Sequence, residues 1–293
     1  MSSANGNLSS RGPIAPSGFL KVALVQTRTP TDQSRALDET APLIRQACAA
    51  GANLIITPEA TNLLQRDHAL LMSKLQPMET DIFACGIRAL AAELHTWILI
   101  GSGLFSTGSN RAANRSVLID EMGAIVQTYD KLHMFDVDLP GGERHRESEL
   151  YEPGASPKIA RTPWGPLGLT ICYDLRFPYL YRILAKAGAA MIATPAAFTA
   201  TTGEAHWEVL LRARAIETGA FVLAAGQGGV HEDGRTTWGH SMVIDPWGRI
   251  VAQSPNDAPG IVLAELDLDA VNVARRAIPS LAHDRDLQAE GTQ

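Results

Sequence analysis

Cysteine is scarce in this chain, with three in 293 residues: Cys48, Cys85 and Cys172. An odd, low count without a close pair rules out a disulfide framework and fits a reducing compartment. Long apolar runs are missing as well, and no stretch approaches the roughly 20 residues that a membrane helix needs. Positive charge is not in excess: 25 Lys and Arg stand against 31 Asp and Glu, for a net charge of −6. Nucleic acid and anionic membrane both want a basic surface, so neither is expected as the main partner. There is no P-loop, no CxxC and no HExxH, so neither a phosphate cradle nor a metal site has a motif behind it. GSGLFS at 101–106 lacks the third glycine of a dinucleotide loop, and GHSMV at 239–243 lacks the closing glycine of a nucleophile elbow.

What is present is the composition of an ordinary globule, 45% apolar and 19% charged, long enough for one large α/β domain or two smaller ones. Residues 1–18, MSSANGNLSSRGPIAPSG, hold no apolar core of a signal peptide, and a disordered leader and a cytoplasmic location are expected. A single domain over 19–286 and a polar tail over 287–293 complete the expected layout.

Short apolar runs alternate with helical patterns. Strands are expected at 19–26, 54–57, 97–105, 167–172, 191–194 and 221–225, with helices at 38–50, 81–96, 178–187 and 204–218. The stretch 239–269 reads as strand-rich, with a turn at Asp245-Pro246-Trp247-Gly248. Continuous apolar strands alternating with helices indicate sheets covered by helices on a face. One internal echo stands out: AAGANLIITPEA at 49–60 aligns without gaps against KAGAAMIATPAA at 186–197. Each copy reads helix end, glycine, strand, Thr-Pro, and this suggests two similar halves facing each other. The copies part at Glu59, whose counterpart is Ala196, so the local fold does not require a carboxylate there.

Strand ends are where open α/β sheets place reactive groups. Glu59 follows LIITP, Lys131 follows the short run 124–129, and Cys172 follows LGLTI. Carboxylate, ammonium and thiol suffice for nucleophilic acyl chemistry at a C–N bond. A free thiol is mostly protonated at neutral pH and needs a base beside it, which Glu59 can supply. Lys131 can stabilise an oxyanion. A second acid, Glu147, lies in the charged loop GGERHRESELYEPG. Singly, each has an ordinary reading: the cysteine as small core filler, the charges as solvated surface. His133 and His206 read as structural, and Cys48 and Cys85 as packing residues in helices.

Together these residues resemble the nitrilase (carbon–nitrogen hydrolase) superfamily, and within it the Nit amidase branch. The resemblance runs from Lys21 to Asp286 and rests on TPE around Glu59, KLHMFDVDLPG from Lys131, and ES…PG around Glu147. GLTICYDLRFP around Cys172, TGEAHWEVLLRARAIE at 202–217 and WGHSMVIDPWG at 238–248 complete it. It implies an α/β fold, an α-β-β-α sandwich in a single domain, commonly dimeric or a higher homo-oligomer, without cofactor or metal. It also implies a Glu59–Lys131–Cys172 triad with Glu147 as a second glutamate. In that mechanism Glu59 deprotonates Cys172, the sulfur attacks an amide, Lys131 and the Tyr173 N–H hold the oxyanion, and ammonia or an amine leaves a thioester that water hydrolyses. Arg176 is expected to bind a substrate carboxylate, with Phe198 and Thr202 lining the same pocket; an Arg176–Asp174 ion pair is the structural alternative. The expected substrate is a small carboxylate-bearing amide, deaminated glutathione ahead of 2-oxoglutaramate or an N-carbamoyl amide. From other classes, a non-catalytic nitrilase-fold binding module and a cysteine hydrolase with histidine as base remain as alternatives.

Overall fold

The structure, a computed structural model, describes residues 17–139, 142 and 144–285. The expected leader, apart from 17 and 18, and the expected tail 287–293 lie outside the described residues, as does part of the loop 141–146. In chain order the strands are β1 (Phe19–Gln26), β2 (Leu54–Ile56), β3 (Trp97–Ser106), β4 (Ala112–Ile119), β5 (Ile125–Asp130), β6 (Asp136–Asp138), β7 (Arg144–Arg146) and β8 (Lys158–Thr162). They continue as β9 (Gly165–Leu169), β10 (Met191–Ala193), β11 (Phe221–Ala224), β12 (Gly228–Val230), β13 (Thr236–Trp238), β14 (Met242–Ile244), β15 (Ile250–Gln253) and β16 (Gly260–Asp267). The helices are α1 (Gln33–Ala49), α2 (His68–Lys74), α3 (Ile82–Leu94), α4 (Pro178–Lys186), α5 (Ala200–Thr218) and α6 (Asp269–Ala277).

Two six-stranded sheets result, ordered β16-β1-β2-β3-β4-β5 and β15-β14-β11-β10-β9-β8. Strand periodicity shows how they stack. On β1, Leu20, Val22 and Leu24 join the cluster between the sheets, while Ala23 and Val25 pack outward against α1 and α3. On the far side α4 and α5 cover β9 and β11, with Leu180, Leu184, Trp207, Leu211 and Ala215 in the same core. A slip of one residue would turn each buried face to the wrong layer, and each buried Leu or Ile contributes about 2 kcal/mol, so burial fixes the register. The layers read helix, sheet, sheet, helix, in one domain.

The internal echo takes a definite form. β2 lies between β1 and β3, and β10 between β9 and β11, with parallel pairing in all four cases. The two Thr-Pro turns therefore leave the centres of the two sheets and meet between them. Gly101 shows how closely: a Cβ there would lie 1.9 Å from the Thr57 carbonyl oxygen and 2.4 Å from Pro195 Cβ.

Several boundaries differ from the sequence-based expectation, each for a local reason. α1 begins at Gln33 rather than 38, because Asp32 caps it by accepting the Arg35 N–H at 3.0 Å. α5 begins at Ala200 rather than 204, capped by Thr199, and Gly203 inside it leaves room for the Trp238 ring. The strand expected over 167–172 ends at Leu169. Cys172 instead opens a 3₁₀ turn, Cys172–Arg176, at φ +49°, a left-handed conformation that side chains seldom adopt.

Candidate active site

Each reactive side chain is placed by backbone that pairs outside its own strand. After β2, Thr57 N–H donates to Leu99 O and Ser102 N–H to Pro58 O, and this holds the turn that carries Glu59. Lys131, one residue beyond β5, donates its N–H to Asn114 O. Glu147 opens the 3₁₀ turn Glu147–Glu149 that follows β7. Cys172 donates its N–H to Pro195 O at 2.8 Å, so the cysteine turn hangs on the second Thr-Pro turn.

Behind the cysteine sits Asp174, fully buried. Its carboxylate accepts from Ile171 N–H (2.9 Å), Tyr129 hydroxyl (2.6 Å) and His133 N–H (3.1 Å), and contacts His133 Nδ1 at 2.6 Å. Tyr129 and His133 flank Lys131, so this one carboxylate ties the lysine segment to the cysteine turn. It is not paired with Arg176, and His133 is committed to Asp174 rather than to the thiol.

The structure brings Glu59, Lys131, Glu147 and Cys172 together. Lys131 Nζ lies 2.9 Å from Glu59 Oε1 and 2.8 Å from both oxygens of Glu147. Glu59 Oε2 accepts the Ala197 N–H at 2.8 Å, and the Cys172 thiol interacts with the same carboxylate. Three contributors escaped sequence reasoning. Asn114 Nδ2 spans both carboxylates, 2.9 Å from Glu59 and 3.3 Å from Glu147. Phe135 N–H donates to Glu147 Oε2 at 2.6 Å. Gln227 Nε2 donates to the Glu59 carbonyl at 3.0 Å. Asn114 opens the polar break Asn114-Arg115-Ser116 of β4, which does not single it out, and backbone donors leave no trace in a sequence.

Burial sets the charges. Lys131 is 2% exposed; burial opposes its charge, but Glu147 and Glu59 outweigh it and hold the ammonium well above its usual range. Burial likewise pushes Glu59 up, yet Lys131, Cys172 and the Asn114 hydrogen bond prevail, and the carboxyl sits below its ordinary value. For Glu147 burial wins over Lys131, helped by repulsion from Glu59, and the carboxyl is raised. Burial and the negative Glu59 push the Cys172 thiol far up against the pull of Lys131. The resting pair is thus an ionised carboxylate beside a neutral thiol, a base next to a proton it can take as sulfur begins to bond.

These groups open into a cavity of about 310 Å³, within the size range of small-molecule sites. Arg176, Phe198 and Thr202 line it, as does Tyr173. The Arg176 guanidinium carbon lies 5.4 Å from the centre of the Phe198 ring, and both its Nη atoms are 3.3 Å from His206 Nδ1. The Tyr173 ring meets Phe135 and Phe177 edge-on, and its N–H has no partner among the described residues. Cys48 and Cys85 lie away from this cavity, on α1 and α3.

The carbon-nitrogen hydrolase family model matches residues 21–276. Deaminated glutathione amidase of Homo sapiens is 40% identical over 270 residues, covering 90% of this chain and 82% of its own. Among solved structures, the C. elegans NitFhit protein superposes with a TM-score of 0.85 at 35% identity, over 93% of this chain and 66% of that one. Saccharomyces cerevisiae Nit3, a member of the nitrilase superfamily, gives 0.81 at 28% identity, over 90% and 96%.

Proposed function

The chain belongs to the carbon-nitrogen hydrolase family, and from that premise we propose that it cleaves deaminated glutathione through a thioester on Cys172. Hydrolysis of a non-peptide amide is the family's reaction; the substrate and the residue roles are the proposal. The observation that carries it is the meeting of Cys172, Glu59 and Lys131 at the floor of a cavity that also holds Arg176. The 40% identity to deaminated glutathione amidase supports the choice of substrate.

In this reading Glu59 takes the thiol proton as sulfur bonds to the amide carbon. The lysine ammonium and the free Tyr173 N–H hold the oxyanion that forms. When the C–N bond breaks, Glu59 returns the proton to the departing amine, here cysteinylglycine. Water then attacks the thioester, giving its proton to Glu59, and breakage of the C–S bond releases 2-oxoglutarate while the sulfur recovers that proton. Ala197 N–H and Asn114 hold the carboxylate in place throughout. Glu147 orients the lysine, whose ammonium bonds both its oxygens, rather than acting as the base. Arg176 takes the carboxylate beside the 2-oxo group, a bidentate task for a guanidinium. We further propose a cytoplasmic homodimer, in line with the scarcity of cysteine and the habit of the family.

The test is release of 2-oxoglutarate from deaminated glutathione, with Cys172→Ala alongside. Turnover by the parent and none by the variant supports the proposal. Preference for 2-oxoglutaramate would keep the cysteine chemistry and overturn the substrate. Activity that survives Cys172→Ala would overturn the mechanism.

A further inference from the structure

Deaminated glutathione carries a carboxylate at each end, and Arg176 answers only one of them. The cavity wall holds further arginines. Arg144 and Arg146 both pair with Asp138, each 2.8 Å from its Oδ1, but the Asp138 side chain is 65% exposed and anchors neither firmly. Arg235, on the hairpin of β12 and β13, is held differently. Its Nε lies 2.8 Å from Asp233 Oδ2, whose side chain is only 1% exposed, and its backbone N–H donates to Asp233 Oδ1 at 3.1 Å. The ion pair with this buried carboxylate holds the guanidinium at its Nε side, while its two Nη groups have no partner among the described residues. A fork already held in place loses little side-chain entropy when it grips a carboxylate.

Tyr151 shares that cavity wall. Its N–H bonds Glu147 O at 2.9 Å, which keeps it one short turn from the reacting groups, and its ring lines the same cavity. Its phenol lies within electrostatic range of both Glu147 and Arg235 and donates to no group among the described residues. Arg235 and Tyr151 thus come from different elements than Arg176 and share no polar partner with it.

We propose that Arg235 and Tyr151 form a second carboxylate subsite, which reads the glycine carboxylate of the leaving group. This rests on the proposed substrate and adds to it: Arg176 reads the acyl end, and Arg235 reads the amine end. The site is then built for amides with an anion on both sides of the scissile bond, and a one-ended amide such as 2-oxoglutaramate fills half of it.

The experiment compares deaminated glutathione with its glycinamide form, which lacks only the terminal carboxylate, in the parent, Arg235→Gln, Arg235→Lys and Tyr151→Phe. The parent is expected to favour the free acid roughly tenfold or more in kcat/KM, the range of a charge-assisted hydrogen-bonded pair at a partly open site. Arg235→Gln should bring that ratio close to one, mostly through KM for the free acid, with Arg235→Lys in between. Tyr151→Phe should lower the ratio by a smaller factor, and it tests the subsite even if the arginine variants fold poorly. A parent ratio near one overturns the subsite, as does a ratio that survives Arg235→Gln. No turnover of either compound by the parent overturns the proposed substrate itself, and the subsite with it.

Discussion

The two halves of the molecule build the same turn and use it differently. Thr57-Pro58-Glu59-Ala60 leaves β2, and Thr194-Pro195-Ala196-Ala197 leaves β10. In both, the threonine N–H pairs with the neighbouring parallel strand, Thr57 with Leu99 O and Thr194 with Leu223 O. In both, the proline carbonyl accepts an N–H from a neighbouring segment, Ser102 within β3 in the first and Cys172 just beyond β9 in the second. The first turn then presents a carboxylate and the second a bare N–H, that of Ala197, which binds the carboxylate. One half supplies the carboxylate and the other orients it. A repeated scaffold is thereby turned into an asymmetric site by one side chain.

The largest expected effect comes from erasing that asymmetry. Glu59→Ala makes the first turn copy the second, so the fold should survive while kcat drops about a thousandfold, the scale of a lost general base. Circular dichroism and steady-state kinetics on one preparation check both halves of the statement; loss of folding would show that the carboxylate is structural. The converse, Ala196→Glu, should act on stability instead. Ala196 is fully buried, and nothing at its turn corresponds to Lys131, so a carboxyl there costs about 3–4 kcal/mol. Urea denaturation reads this as a lower midpoint at unchanged slope.

Much of this asymmetry was legible in the sequence, since a gapless echo that breaks at one position names that position. The strands, the Thr-Pro turns and the address of Glu59, Lys131 and Cys172 follow from local pattern. What did not follow was carried by groups without a pattern of their own. The left-handed backbone at Cys172 is imposed by Asp174 from behind, with Ile171, Tyr129 and His133 as its partners. The β12–β13 hairpin, three residues a side, is too short for periodicity to show, yet it brings Arg235 to the cavity. Tertiary contact, rather than propensity, decides such segments.

That hairpin also joins the halves, through a histidine that acid should reveal. His231 is buried between Thr237 Oγ1, 2.7 Å from its Nε2, and Thr29 O, 3.4 Å from its Nδ1. Burial lowers its pKa from 6.5 to about 4, with the Thr29 carbonyl and Asp233 opposing and Arg235 and Arg28 assisting. The neutral ring is the folded form. Above pH 6.5 the group is neutral in both states and has no effect. Between 6.5 and 4 only the unfolded chain takes the proton, and stability falls by about 3 kcal/mol in all, levelling off below. His231→Asn should start less stable but show a flatter pH profile over that window. Parallel slopes for parent and variant would place the acid sensitivity elsewhere.

The smallest effect tests the link between the turns most directly. Gln227 donates its backbone N–H to Ala196 O at 2.9 Å and its side-chain Nε2 to Glu59 O at 3.0 Å, so one residue holds both copies of the turn in register. Gln227→Asn keeps the amide but withdraws it by one methylene, leaving the second turn bonded and the Glu59 carbonyl without this donor, so that the first turn is held only by its bonds to β3. Drift of the Glu59 backbone moves its carboxylate relative to the thiol and the Ala197 N–H without touching either. The expected outcome is a loss of about tenfold in kcat with KM nearly constant, since misplacement of a base by a fraction of an ångström acts on the transition state rather than on binding. A rise in KM at constant kcat would mean that Gln227 shapes the cavity wall, and that the two turns hold their spacing without it.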